Sequence, residues 1–142
     1  MLESAATRMT DTVVLIARVL IGWLFLTNGF EKLMHMAATA GYLEQLKVPF
    51  ANLMAWPTMA GELLIGIALI LGLATRCAAL ASVAFTAVAT LLAHRYWELP
   101  PGQQSGEYIH FCKNLAIIGG GLLLFVTGPG RFSVDALRAS RR

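Results

Sequence analysis

The 142 residues are 57% hydrophobic and 13% charged, with a mean hydropathy of +0.66, a surplus of apolar side chains that a soluble core of this length cannot hide. The excess must face lipid, and four spans of about 20 residues with short connections use up the chain, so a single domain over 1–142 is expected. The net charge of +3 does not point to nucleic acid, because Lys and Arg flank apolar runs instead of forming a patch interleaved with aromatics.

The first apolar run covers residues 12–33. Arg18 interrupts it and no small-x-small cleavage site follows, so it reads as a retained span and not a secretory leader. The segment HMAATAGYLEQLKVP, ending at Pro49, mixes apolar and charged residues and suits a short helix lying at the membrane interface. Pro57 fits the first turn of a second span over 57–73, which contains Glu62. After the turn Ala74-Thr75-Arg76 a third span runs over 77–94 and ends in the interface signature His94-Arg95-Tyr96-Trp97. ELPPGQQSGEY is expected to be a non-helical loop, and the fourth span covers 111–126, stopped by Gly128-Pro129-Gly130. The expected fold is an all-α membrane protein: a four-transmembrane-helix bundle with a short interfacial helix between spans 1 and 2.

Orientation follows from the Lys and Arg outside the spans. Arg8, Arg76, Arg131, Arg138, Arg141 and Arg142 share one side, whereas the other has Lys32, Lys47 and Arg95, with Lys113 just inside a helix. Both termini are therefore expected in the cytoplasm. Cys77 then begins the third span inside and Cys112 the fourth outside, too far apart to pair within one chain.

Small residues mark where helices touch: Gly22 and Gly29 in the first span, Gly61 and Gly66 in the second, Gly119 to Gly121 in the fourth. Ala78, Ser82, Thr86, Thr90 and His94 form a slowly winding stripe on the third. On a helical wheel Asp11, Arg18, Gly22, Phe25, Gly29 and Lys32 fall within about 40° of Arg18, which defines the bundle-facing side of the first span.

A charge at the centre of a span costs ~2.5–3.5 kcal/mol on insertion scales, so Arg18, Glu62 and Lys113 each ask for a partner or a job. Depth along the helices matches Glu62 to Lys113 as an ion pair, with Arg18 as a third member of the charge network. The same argument gathers Asn28, Glu62, His94, Lys113 and Asn114 into a candidate ligand-binding cluster near the outer helix ends, while Glu31, Lys32 and His110 are expected to meet headgroups and water. No HxxxH or CxxC accompanies His94 and His110, so no metal site is expected. No nucleophile elbow or phosphate loop is present, and the sequence alone does not establish catalysis.

The stretch RVLIGWLFLTNGFEKL, from Arg18 to Leu33, resembles the opening helix of the DoxX family. GELLIGIALILGLATRCAAL, from Gly61, is similar to its Glu-containing helix and Thr-Arg turn, and FCKNLAIIGGGLLLFVTGPGRFSVD, from Phe111, to its Lys-Asn helix and Gly-Pro-Gly-Arg-x-Ser-x-Asp tail. Arg18, Glu62, Lys113, Asn114, Arg131, Ser133 and Asp135 match its patterns. The resemblance implies a four-helix bacterial inner-membrane protein, in a group that includes a subunit of a thiosulfate:quinone oxidoreductase and partners of membrane redox complexes. On that basis the leading expectation is a quinone-linked subunit or partner of a redox system, with the quinone as cofactor, His94 and Lys113 as donors to its carbonyls, and Glu62 serving proton movement. Alternatives are a non-enzymatic scaffold or assembly factor and a small-solute transporter acting as a homo-oligomer. For the tail, Gly128 to Gly130 read as a turn, with Asp135 pairing Arg131 or capping a short helix.

Overall fold

A computed structural model describes residues 2–141 of the chain; Arg142, counted above among the topological cations, lies outside the described residues. The elements are α1 (Leu2–Met34), α2 (Met36–Gln45), α3 (Ala51–Leu71), α4 (Thr75–Ala93), a 3-10 turn (Tyr96–Glu98), α5 (Gln104–Thr127) and α6 (Val134–Ala139). Four segments are long and apolar enough to cross a membrane: Met9–Met34, Ala51–Leu71, Thr75–Glu98 and Gln104–Thr127. The protein is a multi-pass four-helix membrane bundle, with α2 as the short helix between the first two spans.

Two helices begin earlier than their prolines suggest. α3 starts at Ala51, so Pro57 lies inside it and not in its first turn. Pro57 removes its own N–H from the ladder and its ring crowds the Leu53 carbonyl four residues back, a cost that membrane helices tolerate, and the residue is exposed on the outside of the bundle. The start is set by Phe50, in a left-handed conformation, whose carbonyl accepts from the Leu53 and Met54 amides at 2.8 and 2.9 Å. Likewise α5 begins at Gln104, inside the segment expected to be a loop. Pro100 and Pro101 precede the helix, and Gly106 is tolerated within it.

α1 packs against α3 and α4 against α5, and the α3–α4 and α1–α5 contacts close the ring. The α1–α3 seam is backbone on backbone: a Cβ on Gly66 would lie 2.6 Å from the Leu26 nitrogen and 2.8 Å from the Gly22 carbonyl oxygen. Gly29 abuts Leu63 one register step further along. The α1 face built on Arg18 points inward, with Arg18, Phe25 and Gly29 all buried. Ala78, Ser82, Thr86 and Thr90 of the α4 stripe are buried too. Phe25 and Phe85 meet edge to face at 5.9 Å across the bundle, above a core of Ile65, Leu69, Ala79 and Leu124.

One end of the bundle is filled by the tail. Arg18, with no exposed surface, donates to the carbonyls of Pro129 (2.7 Å) and Phe132 (2.6 Å). Its guanidinium occupies the space beside Gly72, where φ is +68° and a Cβ would sit 2.0 Å from Nη1. Arg18 is therefore the anchor of the tail and not a third member of a network with Glu62. Asp135 pairs neither with Arg131 nor with its own helix. It caps α4, accepting from the Ala74 and Thr75 amides (both 2.8 Å) and the Thr75 hydroxyl (2.9 Å). Burial alone would raise this carboxyl, but the hydrogen bonds from Thr75 and Ala74, with Arg138 nearby, outweigh it and hold the group below its ordinary value. Ser133 caps α6, accepting from the Ala136 amide at 3.1 Å, and Asp11 accepts from the Arg131 amide at 2.9 Å. Arg76 reaches the last carbonyls of α5, at Phe125 and Val126.

Candidate functional site

The opposite end, where α2 lies, is hollow. A cavity of about 910 Å³ opens between the four long helices and α2, walled by apolar side chains such as Leu24, Phe25, Ile65, Phe85 and Ile117. All five residues of the sequence-derived cluster, Asn28, Glu62, His94, Lys113 and Asn114, line it, as do Lys32 and His110. The polar atoms thus gather at one end of an apolar slot, the arrangement of a pocket for an amphiphilic small molecule.

Glu62, almost fully buried on α3, is paired with Lys32 of α1 and not with Lys113: Nζ lies 2.8 Å from Oε2 and 3.0 Å from Oε1. The register explains the partner. Gly22 lies against Gly66 and Gly29 against Leu63, so the next turn of α1 brings Lys32 alongside Glu62. Because α3 begins at Ala51, Glu62 also sits deeper than a helix starting at Pro57 would place it. Lys113 shares the cavity with this pair but is itself exposed, and no described carboxylate pairs with it.

His94 lies at the end of α4, its Nδ1 2.7 Å from Glu107 Oε2 on α5, and its ring stacks on His110 at 5.3 Å between centroids. A carboxylate only accepts, so Nδ1 carries the hydrogen, and whenever the ring is neutral Nε2 is an acceptor. Tyr42 of α2 lines the same rim, and burial together with the Glu107 charge raises its phenol above the ordinary range. Deeper, Asn114 Nδ2 donates to Thr90 Oγ1 at 2.9 Å, tying α5 to α4. Among the described residues no group of three His, Cys, Asp or Glu is placed to hold a metal ion, and Cys77 and Cys112 are both free thiols.

The DoxX family model matches residues 13–95, which takes in α1 from its first apolar turn, the Lys32–Glu62 pair and His94. The chain belongs to the DoxX family. This DoxX chain is 38% identical to the inner membrane protein YqjF of Escherichia coli K12 over 92% of its length and 95% of that protein's. It is 33% identical to the inner membrane protein YphA of the same organism, over 87% and 88% of the two chains. An uncharacterized membrane protein of Mycobacterium tuberculosis H37Rv, Rv3486, is 30% identical over 91% and 82%. No solved structure matches. These findings make the DoxX chain an integral inner-membrane protein.

Sequence reasoning about this DoxX protein missed Lys32, His110, Glu107 and Tyr42 as parts of the site. For Lys32 the signal was present, since it falls on the inward face with Arg18; its place at the end of the span assigned it to headgroups instead. Glu107 was hidden by reading its segment as a loop, and nothing in the sequence brings α2, and so Tyr42, to the rim.

Proposed function

We propose that this protein is the quinone-handling membrane subunit, or partner, of a redox system. The observation that carries the reading is the amphipathic cavity: about 910 Å³ between membrane-spanning helices, apolar along its walls, with Glu62, Lys32, Lys113, His94 and Asn114 at one end. A quinone has the matching character, a flat ring with polar oxygens joined to an apolar tail, and reaches its site through lipid. Lys113 is the free ammonium at the polar end and donates to a ring oxygen. Glu62, held beside Lys32, is the carboxylate placed to exchange a proton with the bound ring. Electrons come from a partner protein or from a reductant that meets the quinone directly.

A through-path for a solute is less well supported, because Arg18 and the Gly128–Asp135 tail fill the end opposite the cavity. The excess of arginines at the filled end supports a cytoplasmic location for it and for both termini, with the cavity mouth on the far side.

The test is chemical. Protein purified in mild detergent should carry quinone into an organic extract, and an added short-chain quinone should raise its unfolding temperature. Glu62→Gln should weaken both signals while the protein remains folded, and Lys113→Met should do the same without touching the Lys32–Glu62 pair. Extracts free of quinone, together with an unfolding temperature that added quinone does not move, would sink the proposal.

A further inference from the structure

One hydroxyl fixes the hydrogen-bonding sense of Asn114 at the cavity's polar end. Thr90 Oγ1 lies 2.6 Å from the Thr86 carbonyl oxygen. A carbonyl only accepts, so the Thr90 hydrogen is committed to its own helix and the hydroxyl oxygen is left as an acceptor. Asn114 meets that oxygen at 2.9 Å from α5, and only its NH2 group can make the bond. The orientation of the amide, often ambiguous, is therefore set by Thr90. Thr90 is buried, with 3% of its surface exposed, so no water competes for the arrangement. The remaining atom, Asn114 Oδ1, takes no hydrogen bond from any described residue, and Asn114 lines the cavity.

Two neighbours offer acceptors as well. The Glu62 carboxylate accepts from Lys32 and has lone pairs to spare. His94 commits its Nδ1 hydrogen to Glu107, and its Nε2 accepts whenever the ring is neutral. Donors line the cavity as well, among them the Lys113 ammonium, the Tyr42 hydroxyl and the His110 ring, so the sense that Thr90 fixes is that of Asn114 itself.

An oxidised quinone brings carbonyls, which only accept; it satisfies Lys113 but leaves acceptor facing acceptor at Asn114. A hydroquinone carries a hydroxyl on each ring oxygen and can donate to Asn114 Oδ1 or Glu62 while accepting from Lys113. From this we infer that the Thr90–Asn114 pair makes the cavity select the hydroquinone over the quinone. The inference rests on the quinone reading above and deepens it by naming the redox form that the site holds. Asn114 touches the ligand, and Thr90 acts through Asn114 as a positioning residue.

The experiment compares a short-chain benzoquinone with its hydroquinone, titrated anaerobically into the full-length protein in phospholipid nanodiscs. The wild type should bind the hydroquinone about 10-fold or more tightly, since a mismatched acceptor pair forfeits at least one net hydrogen bond. Thr90→Val frees the Asn114 amide to turn its NH2 toward the ligand, and the ratio should fall toward one as quinone affinity rises. Asn114→Ala removes the acceptor and should level the ratio as well; it serves the same test should Thr90→Val fail to fold. A role confined to clamping α4 to α5 would lower stability in these variants without moving the ratio. A wild-type ratio near one, or a tenfold ratio unchanged in the folded variant, overturns the inference while leaving the quinone reading standing. Failure of either form to bind overturns the quinone reading itself.

Discussion

Replacing Arg18 by Leu tests whether a buried charge in this bundle is a structural anchor for the tail. The guanidinium makes two charge-assisted hydrogen bonds, at 2.7 and 2.6 Å, to the Pro129 and Phe132 carbonyls. Bonds to charged groups contribute about 1.5–3 kcal/mol each, and a carbonyl left buried without a partner costs about 1–3 kcal/mol. Leucine recovers part of this through its own burial, so a net loss of about 3–5 kcal/mol in the docking of the tail is expected. At 1.4 kcal/mol per decade the lower figure raises the undocked fraction roughly 100-fold. Trypsin acting on detergent-solubilised protein reads this directly, because Arg131 and Arg138 become cleavable when the tail lifts and cleavage follows the open population. Arg18→Lys should fall between the two, since a point ammonium cannot span both carbonyls as the planar fork does. A tail in Arg18→Leu that is cleaved within threefold of the wild-type rate, in a protein of unchanged unfolding midpoint, would refute the reasoning.

The glycine contacts predict opposite outcomes for one change at two sites. Gly66→Ala puts a methyl group 2.6 Å from the Leu26 backbone nitrogen, so α1 and α3 must part, at about 1–3 kcal/mol. Gly119→Ala meets no atom within 4 Å and should leave stability unchanged or raise it by up to about 1 kcal/mol; equal unfolding midpoints for the two variants would contradict the helix register. Asp135 supplies a pH dependence. Its carboxyl is held below the ordinary value of 3.8, so its stabilisation is fully present above that value and is lost as pH falls through the lower folded one. Asp135→Asn should therefore be less stable than the wild type at pH 7 and should close the gap on acidification below about pH 4. A difference that stays constant from pH 7 to 3 would show that the carboxylate charge is not what caps α4.

The spans were legible because hydrophobicity and length are properties of the chain itself, and the inward face of α1 was legible because helical periodicity places Arg18, Gly22, Phe25 and Gly29 together. The partner of Glu62 was not, and the cause is local. Pro57 looked like a helix start, six residues after the real one at Ala51, and that offset made Glu62 too shallow for the depth comparison that selected Lys113. The role of Asp135 was hidden for another reason: a residue four positions from Arg131 and at the start of a short helix offers two local partners, whereas the donors it takes, at Ala74 and Thr75, are about 60 positions away in the chain. The five residues that depth groups together all line the cavity, yet depth says nothing of donor or acceptor sense. That sense came from the Thr90–Thr86 and His94–Glu107 distances.

The two ends of the bundle differ because the same kind of residue is used in two ways. Toward the tail, Gly22, Gly66 and Gly121 each have a neighbouring helix pressed into the place of the missing side chain: Gly66 lies under Leu26, and Gly121 under Val83, where a Cβ would come within 2.7 Å. There the helices close on one another, and the one large polar group among them, Arg18, is used up by the tail. Toward α2 the small residues are Ala81, Ala84, Ala89 and Ala93 on α4, and they line the cavity instead of a seam. No helix advances into the room they leave, because α1 is held to α3 by its glycines and α5 to α4 at Gly121. Space is therefore fixed by packing elsewhere in the bundle, and the polar residues bordering it cross-link its rim, Lys32 to Glu62 between α1 and α3 and Asn114 to Thr90 between α5 and α4, without filling it.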